Sequence, residues 1–456
     1  MDGEIRQRPI ESPLLESDTF IIQKNELTDA MKDAQKKVDY YLAHDPEIRK
    51  AIDVVESFLR KSGRPCYGGQ AINAHLPKKH KFYETEYDLP DYDFFSPNAE
   101  KDTIDIIEML KNEGFNDIDE RIGVHEGTKK IYVNYIAVAD ITYLSPYLYK
   151  RMSENNITIG GIKYVSPDIL RMMMYLELSR PRGEVGRWEK VFERLTLLNY
   201  AKPIHLCQTE KIKIPPIESD LRESILQYLI LKRRVFVGPE LGYVYKEATQ
   251  EDSYTNWILR SGGCVIFFSP KLDTDTESLK NILGDKGLGI EWIEGYQDII
   301  PRRVLIRKDK KPVAYLIDES ACSSYFDLEL KNSDTLRIAS LDTCCYTYLM
   351  LGLLTDDHIV LDTPLKCLAE RFVRFSTRLR SNPDSRFPSF ATNCAGHQKT
   401  IVEILREKAE RVKAKREQQE KENKRTRKAK KLKLKPKLKH KQKQGIKLKT
   451  KKKPSK

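Results

Sequence analysis

Apolar residues return every three or four positions from Ile48 through Ile52, Val55, Phe58 and Leu59, directly after Asp45-Pro46. An Asp at the N-cap with Pro at the first helical position opens a helix, so the spacing predicts one that delivers the chain to a glycine-containing turn at Cys66–Gln70. A strand around Asp91–Phe95, a helix from about Asp102 to Asn112 and a β-rich stretch from Lys130 to Leu144 follow. Helices and strands in alternation argue for an α/β or α+β layer fold rather than a bundle. Val165-Ser166-Pro167-Asp168 reads as the cap of a further helix, whose Met and Leu stripe through Leu176 belongs in a core.

The same pattern occurs twice. Phe94-Phe95-Ser96-Pro97 recurs as Phe267-Phe268-Ser269-Pro270, 173 residues later, and between residues 94–114 and 267–287 there are 8 identities in 21 positions. Chance would give about one or two, so the chain reads as two copies of one domain. The copies differ where chemistry would sit: Asp91 and Asp93 face Cys264 and Ile266, and Gly68 faces Leu241. An apolar residue evidently suffices for the fold at those positions, so carboxylates kept in one half only point to function.

Within Leu89-Pro90-Asp91-Tyr92-Asp93-Phe94-Phe95, alternation along a strand puts the Asp91 and Asp93 side chains on one side, about 7 Å apart. Two such carboxylates repel one another unless a cation lies between them, and hard oxygen ligands at that separation suit Mg2+, which takes its other ligands from water and phosphate. A third acid, Asp140, interrupts the most β-prone run of the first half, Ile131–Ile141, where Asp is disfavoured. Taken alone it could equally be a strand-end Asp accepting backbone N–H bonds. Upstream, Gly68 and Gly69 precede a short helix, and glycine lets backbone approach a phosphate at a helix N-terminus. By itself the pair is only a turn. Arg187, Lys190 and Arg194 share one helical face, a face that is solvated or ion-paired in most proteins.

Charge sharpens the picture at one end. The 456 residues carry a formal charge of +13, yet residues 421–456 hold 19 Lys or Arg and one acid. That is a local +18, which leaves −5 for residues 1–420. Such a tail buries too little apolar surface to fold and is expected to be disordered, attracting polyanions by counterion release. No apolar run approaches the roughly 20 residues of a membrane span, and the polar N-terminus has no apolar signal core, so no membrane or secretory role is expected. Eight scattered Cys without a CxxC pair predict reduced thiols, with neither a zinc cluster nor a disulfide framework. The segment Lys366–Arg380 interleaves five cations with Phe372 and Phe375, which reads either as a single-stranded RNA platform or as an amphipathic helix with Phe inward.

A Gly-Gly helix start, then a strand bearing Asp-x-Asp, then a third Asp on a later strand resembles the polymerase-β-like nucleotidyltransferase superfamily. The fuller pattern, YGGxAI with PDYDFFSPN and VADITYLSP, resembles the poly(A) polymerase catalytic subunits of large cytoplasmic DNA viruses of the poxvirus, asfarvirus and giant-virus types, over roughly Cys66–Leu198. Gly69 and Asp91 stand 22 residues apart, more than the dozen usual in the superfamily, so the loop His75–Asp88 departs from the pattern.

The resemblance implies a polymerase-β-like nucleotidyltransferase domain followed by a degenerate second copy and a disordered basic tail. In residue numbers this means an N-terminal extension (1–45), a catalytic domain (46–200), the degenerate domain (201–385), a charged helix (386–420) and the tail (421–456). It implies that Asp91, Asp93 and Asp140 are catalytic and ligate two Mg2+ or Mn2+ ions, and that Gly68, Gly69 and Lys190 bind the nucleotide. The implied activity is addition of AMP from ATP to RNA 3′ ends, with a processivity subunit or a second copy of the chain as partner, in host cytoplasm or packaged in the virion. A nucleotidyltransferase for another nucleotide or acceptor, and an inactive RNA-binding scaffold, remain the competing readings.

Overall fold

The computed structural model describes residues 18–424 except 85, 208–211, 213, 247–260, 298, 331–332, 381, 383–384, 419 and 422–423. Nearly all of the expected tail, and the first 17 residues of the expected N-terminal extension, lie outside the described residues. Two compact units divide the chain, one formed by Met1–Arg121 with Gly127–Gln398 and the other by Ile122–Glu126 with Lys399–Lys456. In the second unit residues 401–418 are helical, and Arg411 donates to the Val124 carbonyl at 2.9 Å.

The first unit opens with helices α1 (Asp18–Ala43), α2 (Pro46–Ser62) and α3 (Gly68–His75). Asp45 caps α2 as its sequence predicts, its carboxylate accepting the Glu47 and Ile48 amides, and Gly63 closes the helix at φ 64°. The buried stripe of α2, from Ile48 through Leu59, packs on a mixed sheet made of β1 (Tyr92–Ser96), β2 (Ile118–Ile122), β3 (Thr128–Val133) and β4 (Ile136–Tyr143). Their order is β1-β4-β3-β2, and helix α4 (Ala99–Asn112) carries the chain from β1 to β2. The single β-rich run of the sequence is thus two antiparallel strands, reversed at Asn134-Tyr135 with both φ positive, 49° and 67°. That conformation suits a hairpin, but the turn has no glycine to announce it.

Helix α5 (Pro146–Met152), the ribbon β5 (Ile157–Ile159) with β6 (Ile162–Tyr164), and helices α6 (Pro167–Leu178) and α7 (Trp188–Ala201) follow. Ser166 caps α6, and its Met172 and Met174 are core residues, as the stripe predicts. A second, larger sheet contains β7 (Val235–Phe236), β8 (Val265–Ser269), β9 (Leu288–Ile293), β10 (Arg303–Lys308), β11 (Lys311–Asp318), β12 (Ser323–Glu329), β13 (Thr335–Ala339) and β14 (Cys394–Ala395). Its order is β14-β12-β13-β7-β8-β11-β10-β9, and the segment β8-β11-β10-β9 runs in the same order as β1-β4-β3-β2. In both, the first pair is parallel and the next antiparallel.

The likeness extends to side chains. Ser96 donates to Asp102 at 2.5 Å, and the Arg64 guanidinium grips the same carboxylate at 2.6 and 3.1 Å. Ser269, Asp275 and Arg234 repeat this with 2.7 Å from Ser269 and 2.7 and 2.8 Å from Arg234. Each network ties the end of a parallel strand to the helix after it and to the segment before it.

One sequence expectation is corrected, and one pair of alternatives is decided. Cys207 is bonded to Cys367 and Cys322 to Cys394, while Cys66, Cys264, Cys344 and Cys345 are buried free thiols. Spacing alone could not reveal bonds that join segments 160 and 72 residues apart. The Lys366–Arg380 segment lies mostly in an amphipathic helix, Leu365–Leu379, with Phe372 fully buried, and Arg380 is sunk in an ion pair with Asp342 rather than offered to a ligand.

Asp102 is nearly buried and doubly held by Arg64. Asp102→Ala would strand that guanidinium and should cost about 3 kcal/mol or more, read as a lowered midpoint in urea unfolding.

Candidate active site

The backbone around Cys66 runs beside β1. The Tyr67 amide donates to the Asp93 carbonyl at 2.9 Å and the Phe95 amide to the Pro65 carbonyl at 3.0 Å. This delivers Gly68, at φ 71°, to the first turn of α3 beside the Asp93 side chain. A Cβ at Gly68 would collide with the Asp93 carboxylate, so the glycine is required both by its backbone angle and by the room it leaves. The Tyr67 ring stacks on Phe95 at 4.1 Å and its hydroxyl meets Thr142 on β4 at 2.8 Å, giving the site a rigid floor.

The three acids are brought together. Asp93 on β1 pairs in register with Asp140 on β4, and neighbours across a parallel pair project to the same face. Asp91, immediately before β1, lies two residues from Asp93 and so shares that face, on the exposed rim. Burial, then Asp91 and Asp140, push the Asp93 carboxyl up to about 7 from 3.8. Asp91 is raised by desolvation and by Asp140. Asp140 is 7% exposed, and its Oδ1 is buried with no hydrogen-bond partner.

One cation already sits among them. Lys130, opposite Asp140 across the β3–β4 hairpin, is ion-paired to Asp140 Oδ2. Burial works against its charge, but Asp140 and Asp91 outweigh that and raise its pKa. Among the described residues, no three acidic, His or Cys side chains stand ready as a metal cluster. The donor set nevertheless fits a divalent cation: hard oxygens crowded on one face, one orphaned buried oxygen, and a glycine that leaves space at Asp93. Sequence reading missed Lys130, because it stands opposite Asp140 only once the hairpin is recognised.

A cationic wall adjoins the acids. Arg187 precedes α7, is ion-paired to Glu184 and Glu177 at 3.2 and 3.5 Å and acts on Asp93 through space; Lys190 and Arg194 follow along the helix. Arg194, then burial and Arg187, depress the Lys190 ammonium. Lys190 is exposed and, among the described residues, has no carboxylate partner. The departing loop His75–Asp88 has a job here. Asn73 accepts the Phe82 and Tyr83 amides at 3.0 and 3.2 Å, fixing the loop so that Tyr83 receives a 2.9 Å bond from Arg194. The guanidinium lies over the Phe82 ring at 4.3 Å, and its Nη1 would stand 3.0 Å from a Cβ at Gly69. A guanidinium held at a glycine turn, with Lys190 on the same helix, is chemically suited to an anion. The structure therefore brings Gly68 together with Asp93 and Gly69 with Arg194, while Lys190 lies four residues before Arg194 on α7.

In metal-free protein the native state keeps a proton on Asp93 that the unfolded chain releases, so stability should fall as pH rises from about 4 to 7. Calorimetry with chelator should show the melting temperature dropping across that window, Mg2+ restoring it, and Asp93→Asn flattening the profile.

Comparison with known proteins follows the same residues. Residues 53–184 match the family model described as poly(A) polymerase catalytic subunit. A putative poly(A) polymerase catalytic subunit of Acanthamoeba polyphaga mimivirus is 31% identical over 192 residues, 41% of this chain and 32% of that protein. The African swine fever virus protein of the same description (strain Badajoz 1971 Vero-adapted) is 29% identical over 176 residues, 37% of each chain. The chain thus aligns with about a third of the length of these curated relatives. The Megavirus polyadenylate synthase crystal structure superposes with TM-score 0.71 at 20% identity, over 91% of this chain and 86% of that one, so the two share a fold. The resemblance to viral poly(A) polymerase catalytic subunits therefore holds for the segment that contains Asp91, Asp93 and Asp140.

Proposed function

We propose that the chain is a template-independent polynucleotide adenylyltransferase that adds AMP from ATP to RNA 3′ ends. The observation that carries this reading is the convergence of Asp91, Asp93 and Asp140 on one face of the sheet, beside a glycine turn and a cationic wall. In the reaction the primer 3′ oxygen attacks the α-phosphorus, the bond to the bridging oxygen breaks, and pyrophosphate leaves. Asp91, Asp93 and Asp140 would hold divalent ions, which activate the hydroxyl and stabilise charge on the attacking and leaving oxygens. Gly68 and Gly69 bring backbone close to the triphosphate, and Lys190 with Arg194 neutralises it.

The domain division is part of this proposal. Residues 46–200 form the catalytic domain and 201–385 a degenerate copy, supported by the shared strand order and the repeated Arg–Asp–Ser network. By register, Cys264, Ile266 and Tyr315 occupy the places of Asp91, Asp93 and Asp140. The copy has none of the three site acids at these positions and contributes scaffold. The term catalytic subunit applied to the relatives supports a partner, either a processivity subunit or a second copy of this chain, and host cytoplasm is the proposed place of work.

The test is a gel of an RNA oligonucleotide incubated with protein, Mg2+ or Mn2+ and each nucleotide in turn. Extension with ATP and its abolition, by at least about a thousandfold, in Asp91→Ala/Asp93→Ala of unchanged melting temperature is the expected result. Retained extension in the double variant refutes the site; extension with another nucleotide only, or none, refutes the assigned reaction.

A further inference from the structure

The internal repeat supplies a control for Lys130. Register in the first sheet sets Asp93 beside Asp140 and Lys130 opposite Asp140; in the second it sets Ile266 beside Tyr315 and Leu305 opposite Tyr315. Leu305 is therefore the counterpart of Lys130, and it is fully buried in the core, as are Ile266 and Tyr315. The strand position itself has no need of a lysine: an apolar residue fills it where the neighbouring acids are gone. Half-burying an ammonium in a sheet is costly, and the cost is met only by the carboxylates it faces.

The geometry of Lys130 matters as much as its presence. It pairs with one oxygen of Asp140, leaving Oδ1 without a partner, and it also acts on Asp91 through space. The groups that face it are the acids Asp140, Asp91 and Asp93 and the ring of Tyr132 on its own strand. It thus draws on the same negative charge that would attract a divalent ion, while its tether keeps it from filling the coordination shell.

We propose that Lys130 is a tethered counter-ion of the carboxylate site, a positioning residue that neutralises Asp140 before metal arrives and competes with the ion Asp140 would hold. This rests on the metal-binding reading given above. With the ammonium in place the empty cluster survives without neutralisation by protons alone, and metal is bound firmly only when the triphosphate adds its own charge. Removing the cation should tighten metal binding in the absence of nucleotide while lowering the stability of the metal-free protein.

The experiment is Mn2+ titration of the full chain without nucleotide, followed by the electron paramagnetic resonance signal of free Mn2+, for wild type, Lys130→Met, Lys130→Gln, Lys130→Arg and Asp140→Asn. Both neutral variants should bind Mn2+ roughly fivefold to tenfold more tightly, with lower chelated melting temperatures; Lys130→Arg should stay within about twofold of wild type. Asp140→Asn should weaken binding. Neutral variants that bind Mn2+ no more tightly than wild type, while Asp140→Asn still binds less, overturn the counter-ion role and leave the metal site standing. Unaltered binding in Asp140→Asn overturns the metal site itself, and the role of Lys130 with it. Lys130→Gln, closer in polarity to lysine, keeps the test valid if Lys130→Met does not fold.

Discussion

Three carboxylates are held on one face of a small sheet, two of them adjacent across a parallel strand pair, in surroundings that withdraw water. Mutual repulsion and desolvation both favour protonation there, and Asp93 expresses this by titrating near neutrality. The protein tolerates the arrangement because cations surround it: Lys130 from the next strand, and Arg187 acting on Asp93 from the start of α7. Segments beside the first sheet position the groups around it. Gly68 leaves room for Asp93, Tyr67 braces β1 against β4, and the loop through Tyr83 steadies Arg194 at the glycine turn.

The second sheet shows what the scaffold does when this burden is absent. The order of four strands and the Arg–Asp–Ser tie at the strand end are kept, and the positions of the acids are filled by Cys264, Ile266 and Tyr315. All three are under 10% exposed, and the Tyr315 hydroxyl donates to Asp357 and accepts from Arg303 at 3.0 Å. The scaffold thus forms without the three carboxylates, whereas the tie at the strand end is present in both halves.

Much of this was legible in residues. The Asp45 cap, the glycine turn, the capped helix after Ser166 and the repeat around Phe-Phe-Ser-Pro all rest on local signals, and local signals survive into the fold. Asp91, Asp93 and Asp140 could be read together because strand alternation and a resemblance agreed on them. What escaped depended on contacts between distant segments. Lys130 meets Asp140 only through a hairpin whose Asn-Tyr turn lacks glycine, and Tyr83 reaches Arg194 across 111 residues. Cys207 finds Cys367 across 160, which no spacing rule anticipates. Lys366–Arg380 carried two readings in sequence, and burial of Phe372 and Arg380 decided between them.

The central claim is that the three carboxylates form one divalent-cation site. Anomalous diffraction from crystals grown with Mn2+ and a non-hydrolysable ATP analogue tests it most directly. The account predicts manganese peaks within about 2.5 Å of oxygens from Asp91, Asp93 and Asp140, with the triphosphate along the Gly68-Gly69 turn. Manganese bound elsewhere, or an analogue seated away from these residues with no metal between them, would contradict it.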